Sequence, residues 1–200
     1  MKIIQSKILV LLSLVVLTVL GCSKGNSSDT AKENMKSDMK DDKMTMKKVL
    51  VVYHSMTGTT EKVAEMIKEK LGADILEIEP ENEYDLKTIE EVVKKQMADK
   101  EKVAIKKVEG DLSEYDTIII GTPAWFSEVS LPLQTYLSEQ DLSGKTVAVF
   151  TTYGGTYGDL LTNFEKNVKA KEVKKGIAFS GKQVNEGIEK ELDAWLETLK

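Results

Sequence analysis

The sequence predicts an α/β domain over residues 48–200, a doubly wound parallel sheet with helices on both faces. Three observations support this. Several strand-length runs are apolar without alternation, the pattern of strands buried on both faces. Between them lie segments whose apolar residues recur at helical spacing. Strand and helix then alternate along the chain, and right-handed crossovers of that kind build a parallel sheet covered on both sides.

The first strand is the run Val49, Leu50, Val51, Val52 and Tyr53, ending at His54. Val63, Met66, Ile67 and Leu71 mark the first helix, and Gly72 stands where a left-handed residue closes it. Asp74-Ile75-Leu76-Glu77-Ile78-Glu79 alternates apolar and acidic residues before Pro80, which suits an outer strand. Ile89, Val92, Val93, Gln96 and Met97 share one face of a second helix. Residues 117–121 and 146–151 form the third and fourth strands, apolar and central. Leu160, Leu161, Phe164 and Val168 mark another helix, residues 176–180 a short fifth strand, and Ile188, Leu192, Trp195, Leu196 and Leu199 the last helix. Trp195 falls on that apolar stripe and is expected in the core.

Residues 1–47 read differently. Lys2 and Lys7 flank a thirteen-residue apolar run, Ile8 to Leu20, which is short for a bilayer span and has the form of a secretory signal. It closes on Val19-Leu20-Gly21-Cys22, which resembles a bacterial lipoprotein signal and implies cleavage before Cys22 with lipid on its sulfur; the alternative is an uncut anchor. The expected organisation is a lipoprotein signal peptide over residues 1–21, lipidated Cys22 with a flexible polar linker over 22–47, and the folded domain over 48–200. The linker is Ser, Asn, Asp, Lys and Met without apolar periodicity, so it buries too little to offset chain entropy. Its Met35, Met39, Met44 and Met46 make a weak thioether set for Cu(I), and a solvated tether is the better reading.

Cys22 is the one cysteine and His54 the one histidine, which leaves the domain no disulfide, iron–sulfur cluster, dithiol pair or histidine-rich metal site. Redox chemistry here requires an organic cofactor, and no metal is expected. The net charge is −5, and residues 1–21 carry two lysines and no acid, so their removal makes the remainder more negative by two. An acidic domain argues against nucleic acid as a partner. The chain contains no arginine.

Ser55, Met56, Thr57, Gly58, Thr59 and Thr60 join the first strand to the first helix. The first helical turn offers unpaired N–H groups and a partial positive charge, the hydroxyls add donors, and Gly58 lets the backbone approach an anion closely. These residues make a phosphate site without a cation. Helix capping needs one hydroxyl, and four around a glycine exceed that. A Walker P-loop does not fit, because no Gly-Lys-Thr closes this loop. Gly144-Lys145-Thr146 precedes a strand and has Glu139 five positions before it, so it is a chance match.

Val52, Tyr53, Ser55, Gly58, Thr60 and Ala64 fall at the spacing of the flavodoxin signature, and the chain resembles that family. The resemblance implies a flavodoxin-like five-stranded sheet of order 2-1-3-4-5, with the first loop holding the 5′-phosphate of FMN. In such sheets the ligand lies beyond the carboxyl ends of the strands, where the loops after strands one, three and four converge. The third-strand loop carries Pro123, Ala124, Trp125 and Phe126; Trp125 is the candidate for stacking on the isoalloxazine, the alternative being a tryptophan tucked into the core. The fourth-strand loop carries Thr152, Tyr153, Gly154, Gly155 and Tyr157, where paired glycines permit close approach to a flat ligand and a tyrosine covers its edge or second face; a tight turn is the alternative. Through these loops the resemblance spans residues 48–200 and is nearest the bacterial flavodoxin-like subgroup with a Gly-x-Pro-x-Trp loop, often with a double Trp followed by Gly. Phe126 and Ser127 stand at the second Trp and the Gly. In flavodoxins a glycine there eases a peptide flip toward reduced flavin N5, a motion that costs more with Ser127.

The function implied is a membrane-tethered extracytoplasmic flavodoxin that binds FMN without covalent attachment and exchanges electrons with redox partner proteins or quinones. The lipid on Cys22 would hold it to the outer face of the cytoplasmic membrane, or to a periplasmic-side membrane in a two-membrane host. The alternative is an FMN-dependent NAD(P)H:quinone oxidoreductase on the same fold. The absence of arginine for a nucleotide phosphate, and export away from NAD(P)H, favour the carrier. A phosphoacceptor receiver shares the strand order but needs clustered acids where this chain has Tyr53-His54-Ser55.

Overall fold

A computed structural model describes residues 48–200; the expected signal peptide, Cys22, the linker and its methionines lie outside the described residues. At the middle of the sheet β1 (Val49–Tyr53) runs parallel to β2 (Asp74–Glu77) on one side and β3 (Thr117–Trp125) on the other. Next to β3 lies β5 (Thr146–Tyr153), also parallel. The position beyond β5 is shared by β6 (Glu172–Val173), paired with its start, and β7 (Ile177–Ser180), paired with its end. The expected order 2-1-3-4-5 is therefore present, with two short strands in fifth place instead of one. Between them the backbone leaves the ladder for other partners: the Lys175 carbonyl accepts the Trp195 indole N–H at 2.7 Å, and the Gly176 N–H donates to Glu165 Oε1 at 2.8 Å.

Alternation along β1 sends its side chains into two cores. Val51 and Tyr53 face α1 (Thr59–Leu71) and the C-terminal α6 (Glu189–Glu197), together with Ile67, Phe150, Leu192 and Trp195. Leu50 and Val52 face α3 (Leu131–Ser138) and α4 (Leu160–Asn167), with Ile118, Ile120, Leu133 and Phe164. Ile118, Ile119 and Ile120 are fully buried, each contributing about 1.5–3 kcal/mol of transfer free energy. On α1 the buried residues are Thr60, Val63, Ala64 and Ile67, and Gly72 closes the helix at φ 61° with its N–H on the Lys68 carbonyl. Trp195 is buried, as its stripe requires.

Several elements differ from the sequence expectation. The third strand runs on to Trp125, so Pro123, Ala124 and Trp125 lie on a strand and not in a loop; Thr152 and Tyr153 likewise end β5. Thr122 interrupts the apolar pattern of one strand and Thr151 that of the other, yet both are fully buried and bonded, Thr151 Oγ1 donating to the Thr122 carbonyl at 2.9 Å. β3 then folds back through Phe126 and Ser127 into β4 (Glu128–Val129), an unexpected two-residue hairpin pairing Ala124 with Val129 and Trp125 with Glu128. α3 was also unexpected, though Ser130 before Leu131-Pro132 is a helix-start signal, as were the short α5 (Gly181–Glu186) and its Ser180–Gln183 capping box. On α2 (Ile89–Ala98) only Val93 is buried, and Val92, expected on the inner face, lies at its exposed edge.

Candidate functional site

The carboxyl ends of β1, β3 and β5 meet at one rim of the sheet, held in register by Tyr53 against Gly121 and Pro123 against Thr152. Ser55 to Thr60 follow β1 at this rim. Gly58 is the N-cap of α1 at φ 81°, and no side chain caps the helix. The four hydroxyls are thus not used as caps. Thr60 Oγ1 lies 2.8 Å from Thr152 Oγ1, tying the helix to β5. Thr57 and Thr59 hydroxyls lie 3.4 Å apart, with Thr57 exposed. Ser55 Oγ is buried with no hydrogen-bond partner, alone in that respect among the described residues. A Cβ on Gly58 would meet nothing closer than Glu61 at 3.8 Å, so it is its backbone conformation that calls for glycine.

An orphaned buried hydroxyl costs roughly 1–3 kcal/mol unless a ligand meets it. Ser55→Ala is therefore expected to raise the denaturant midpoint of the cofactor-free protein while lowering FMN affinity about tenfold. Unfolding and FMN titrations of the same variant check the opposed signs.

A cavity of about 330 Å³ opens beside this loop, lined by Met56, Ile89, Glu90, Val93, Ala124, Trp125 and Phe126. Trp125 is half-buried and meets two rings edge-on, His54 at 5.3 Å and Tyr84 at 5.0 Å between centroids. It also packs against the small cluster of Val93, Val103 and Leu131. The indole is therefore anchored against this small cluster and also lines the cavity. Phe126, 45% exposed, sits at the hairpin tip with Lys94 Nζ 5.2 Å from its ring centre.

Both turn residues have positive φ, Phe126 at 52° and Ser127 at 67°, which is the hairpin geometry usually given to Asn-Gly. Ser127 thus already occupies the left-handed region at a cost that glycine avoids. Gly158, at φ 52°, abuts the same turn: a Cβ there would stand 2.0 Å from Ser127 Oγ. The remaining candidates cluster beyond β5. Tyr153 and Tyr157 rings lie 5.1 Å apart, and Gly154 and Gly155 are exposed with open space where a Cβ would be. The rim thus brings together all three groups of expected site residues.

Sequence reading missed a buried polar network beneath the rim. His54 is 3% exposed; its backbone N–H donates to the Gly121 carbonyl at 3.1 Å, and its Nδ1 lies 3.1 Å from Ser130 Oγ. The Ser130 N–H donates to Thr122 Oγ1 at 3.0 Å, and Thr122 Oγ1 donates to the Pro123 carbonyl at 2.9 Å. Burial lowers the imidazole pKa to about 4, so His54 is neutral at physiological pH. Its place at the end of an apolar strand was the available signal.

Two other clefts, of about 410 and 460 Å³, lie between α3 and α4, reaching Glu128 and Val129 of β4, and along residues 102–110. Neither includes a loop-one hydroxyl. Among the described residues, the rim combines a helix N-terminus without a side-chain cap, an unpartnered hydroxyl, an aromatic wall and an open glycine pair. That donor set fits a phosphate joined to a planar ring system.

Comparison with known proteins agrees with this geometry. The family profile described as Flavodoxin matches residues 48–199. A quinone-type NAD(P)H dehydrogenase of Methylocella silvestris is 33% identical over 125 residues, covering 56% of this chain and 60% of the relative. A flavodoxin of Nostoc is 28% identical over 131 residues, covering 61% of this chain and 64% of the relative. The chain thus spans about three fifths of the length of these curated relatives. Among solved structures, a flavoprotein of Lactobacillus acidophilus in complex with FMN superposes with a TM-score of 0.58 at 25% identity, covering 75% of this chain and 99% of that one.

Proposed function

The chain belongs to the flavodoxin family, and on that premise we propose that it binds FMN non-covalently at the ends of β1, β3 and β5 and carries electrons at a membrane surface. The observation that carries this reading is Ser55 Oγ, a buried donor without a partner in a cation-free nest beside an aromatic cavity. Ser55 to Thr60 hold the phosphate through backbone N–H groups and hydroxyls. Trp125 and the tyrosines beyond β5 flank the ring, with Gly154 and Gly155 permitting close approach. The flavin supplies the electron chemistry, and the protein supplies position, dielectric and charge. No side chain needs to act as acid or base. The acidic surface disfavours added negative charge and steers basic partners. The signal-like segment ending at Cys22 supports tethering by lipid on the outer side of the membrane.

A second reading, FMN-dependent NAD(P)H:quinone oxidoreductase, is favoured by the Methylocella relative. One preparation separates the possibilities: the full chain is expressed, membrane and soluble fractions are separated, and the purified protein is examined by visible spectroscopy. Yellow protein in the membrane fraction, releasing FMN on denaturation and not turning over NADPH with a quinone, is the expected result. Steady NADPH–quinone turnover selects the reductase, soluble yellow protein removes the tether, and colourless protein removes FMN.

A further inference from the structure

The sole histidine occupies a position that the electron-carrier reading leaves without a task. His54 caps the central strand beneath the rim, its ring edge-on to Trp125 and its Nδ1 at Ser130, the residue preceding α3. We propose that His54 is a redox-linked proton site: in mildly acidic solution its imidazole is neutral beside the oxidised cofactor and takes up a proton when the cofactor is reduced. This rests on the FMN reading above.

Ser130 can meet either protonation state of Nδ1. With the neutral ring accepting at Nδ1, the Ser130 hydroxyl donates to it. Once Nδ1 carries a proton it donates to Ser130 Oγ, 3.1 Å away, an oxygen that the Thr122 hydroxyl also reaches as a donor at 3.3 Å. Rotation of the Ser130 hydroxyl therefore serves both states of Nδ1, with no movement of the backbone.

Few charges compete for this proton. From β3 the ring meets Trp125, and from the residue before α3 the Ser130 hydroxyl, which the Thr122 hydroxyl reaches in turn. Behind Trp125 stands Tyr84, and Glu128 pairs with Trp125 across the hairpin. On the far side of the cavity Glu90 is ion-paired with Lys94 at 2.6 Å. Burial is what holds the imidazole down, so a negative charge arriving within the low-dielectric rim acts on it with little screening. In the balanced step the flavin gains two electrons and one proton and carries one net negative charge, and a second proton from solvent binds the imidazole. In the test the electrons come from dithionite, which is oxidised to sulfite.

Because His54 is the only histidine in the chain, its imidazole gives a single titrating resonance in a protein without a histidine tag. NMR titrations of the full chain, FMN-loaded, oxidised and then dithionite-reduced, are expected to show the proton affinity of that imidazole rise tenfold or more on reduction. The midpoint potential should change slope with pH where the imidazole titrates, and His54→Gln should abolish that break while the visible spectrum of bound FMN persists. An imidazole titration unchanged between the two redox states, or a break that survives in His54→Gln, overturns the proton site and leaves the cofactor reading intact. A chain that takes up no FMN overturns both. If His54→Gln does not fold, the titration of the unsubstituted protein still decides the matter.

Discussion

Replacing Trp125 by alanine is expected to weaken FMN binding about a hundredfold and to raise the potential of the second reduction. The indole lines the cavity beside Met56 and is held edge-on by His54 and Tyr84, so it offers a ligand a fixed aromatic surface. Truncation removes both the buried area and the ring contact, together roughly 3 kcal/mol, which corresponds to that factor. Trp125→Phe should retain most of the affinity, because the wall survives in smaller form. FMN titration followed by flavin fluorescence, with redox titration of each variant, checks both parts. Unchanged affinity and potential in Trp125→Ala would take the residue out of the site.

The largest effect on folding is expected from Gly121→Ala, at about 3 kcal/mol or more. Gly121 lies in the middle of the sheet opposite Phe150, and an added Cβ would stand 2.3 and 2.6 Å from that ring's carbons. The ring is fully buried and the neighbouring strands pin both backbones, so neither partner can retreat cheaply. Since the Gly121 carbonyl also accepts the His54 N–H, a shift of β3 would disturb the rim as well. Phe150→Leu, destabilising by itself, should partly rescue Gly121→Ala, because it vacates the space the methyl needs. Urea unfolding of the single and double variants measures that coupling. Gly154→Ala provides the contrast: with nothing within 4 Å it should change stability by less than about 0.5 kcal/mol.

The parts of the molecule that the sequence made legible are those whose determinants are local. The β1–loop–α1 unit shows in the change from a continuous apolar run to helical spacing across a glycine; the strand has the expected limits, and the helix starts at Thr59, two residues inside the expected loop. β3 and β5 show in their apolar cores but not in their ends, where Thr122, Thr151 and Thr152 are buried by partners distant in sequence. The β4 hairpin has no turn signal, because Phe126 and Ser127 hold positive φ where glycine or asparagine would have announced it. β6 is two residues long and has no period to read. His54 carried no visible function because its neighbours, Ser130 and Trp125, lie more than seventy residues away along the chain.

The hairpin bearing Trp125 continues a central strand, is tied through Ser130 to Thr122, and has Gly158 pressed against its turn. Its shape is therefore paid for during folding, by the sheet that carries it. A newcomer to the rim finds the receiving surface already assembled, so capture should proceed at a pace set by diffusion and desolvation, with only a small entropic toll.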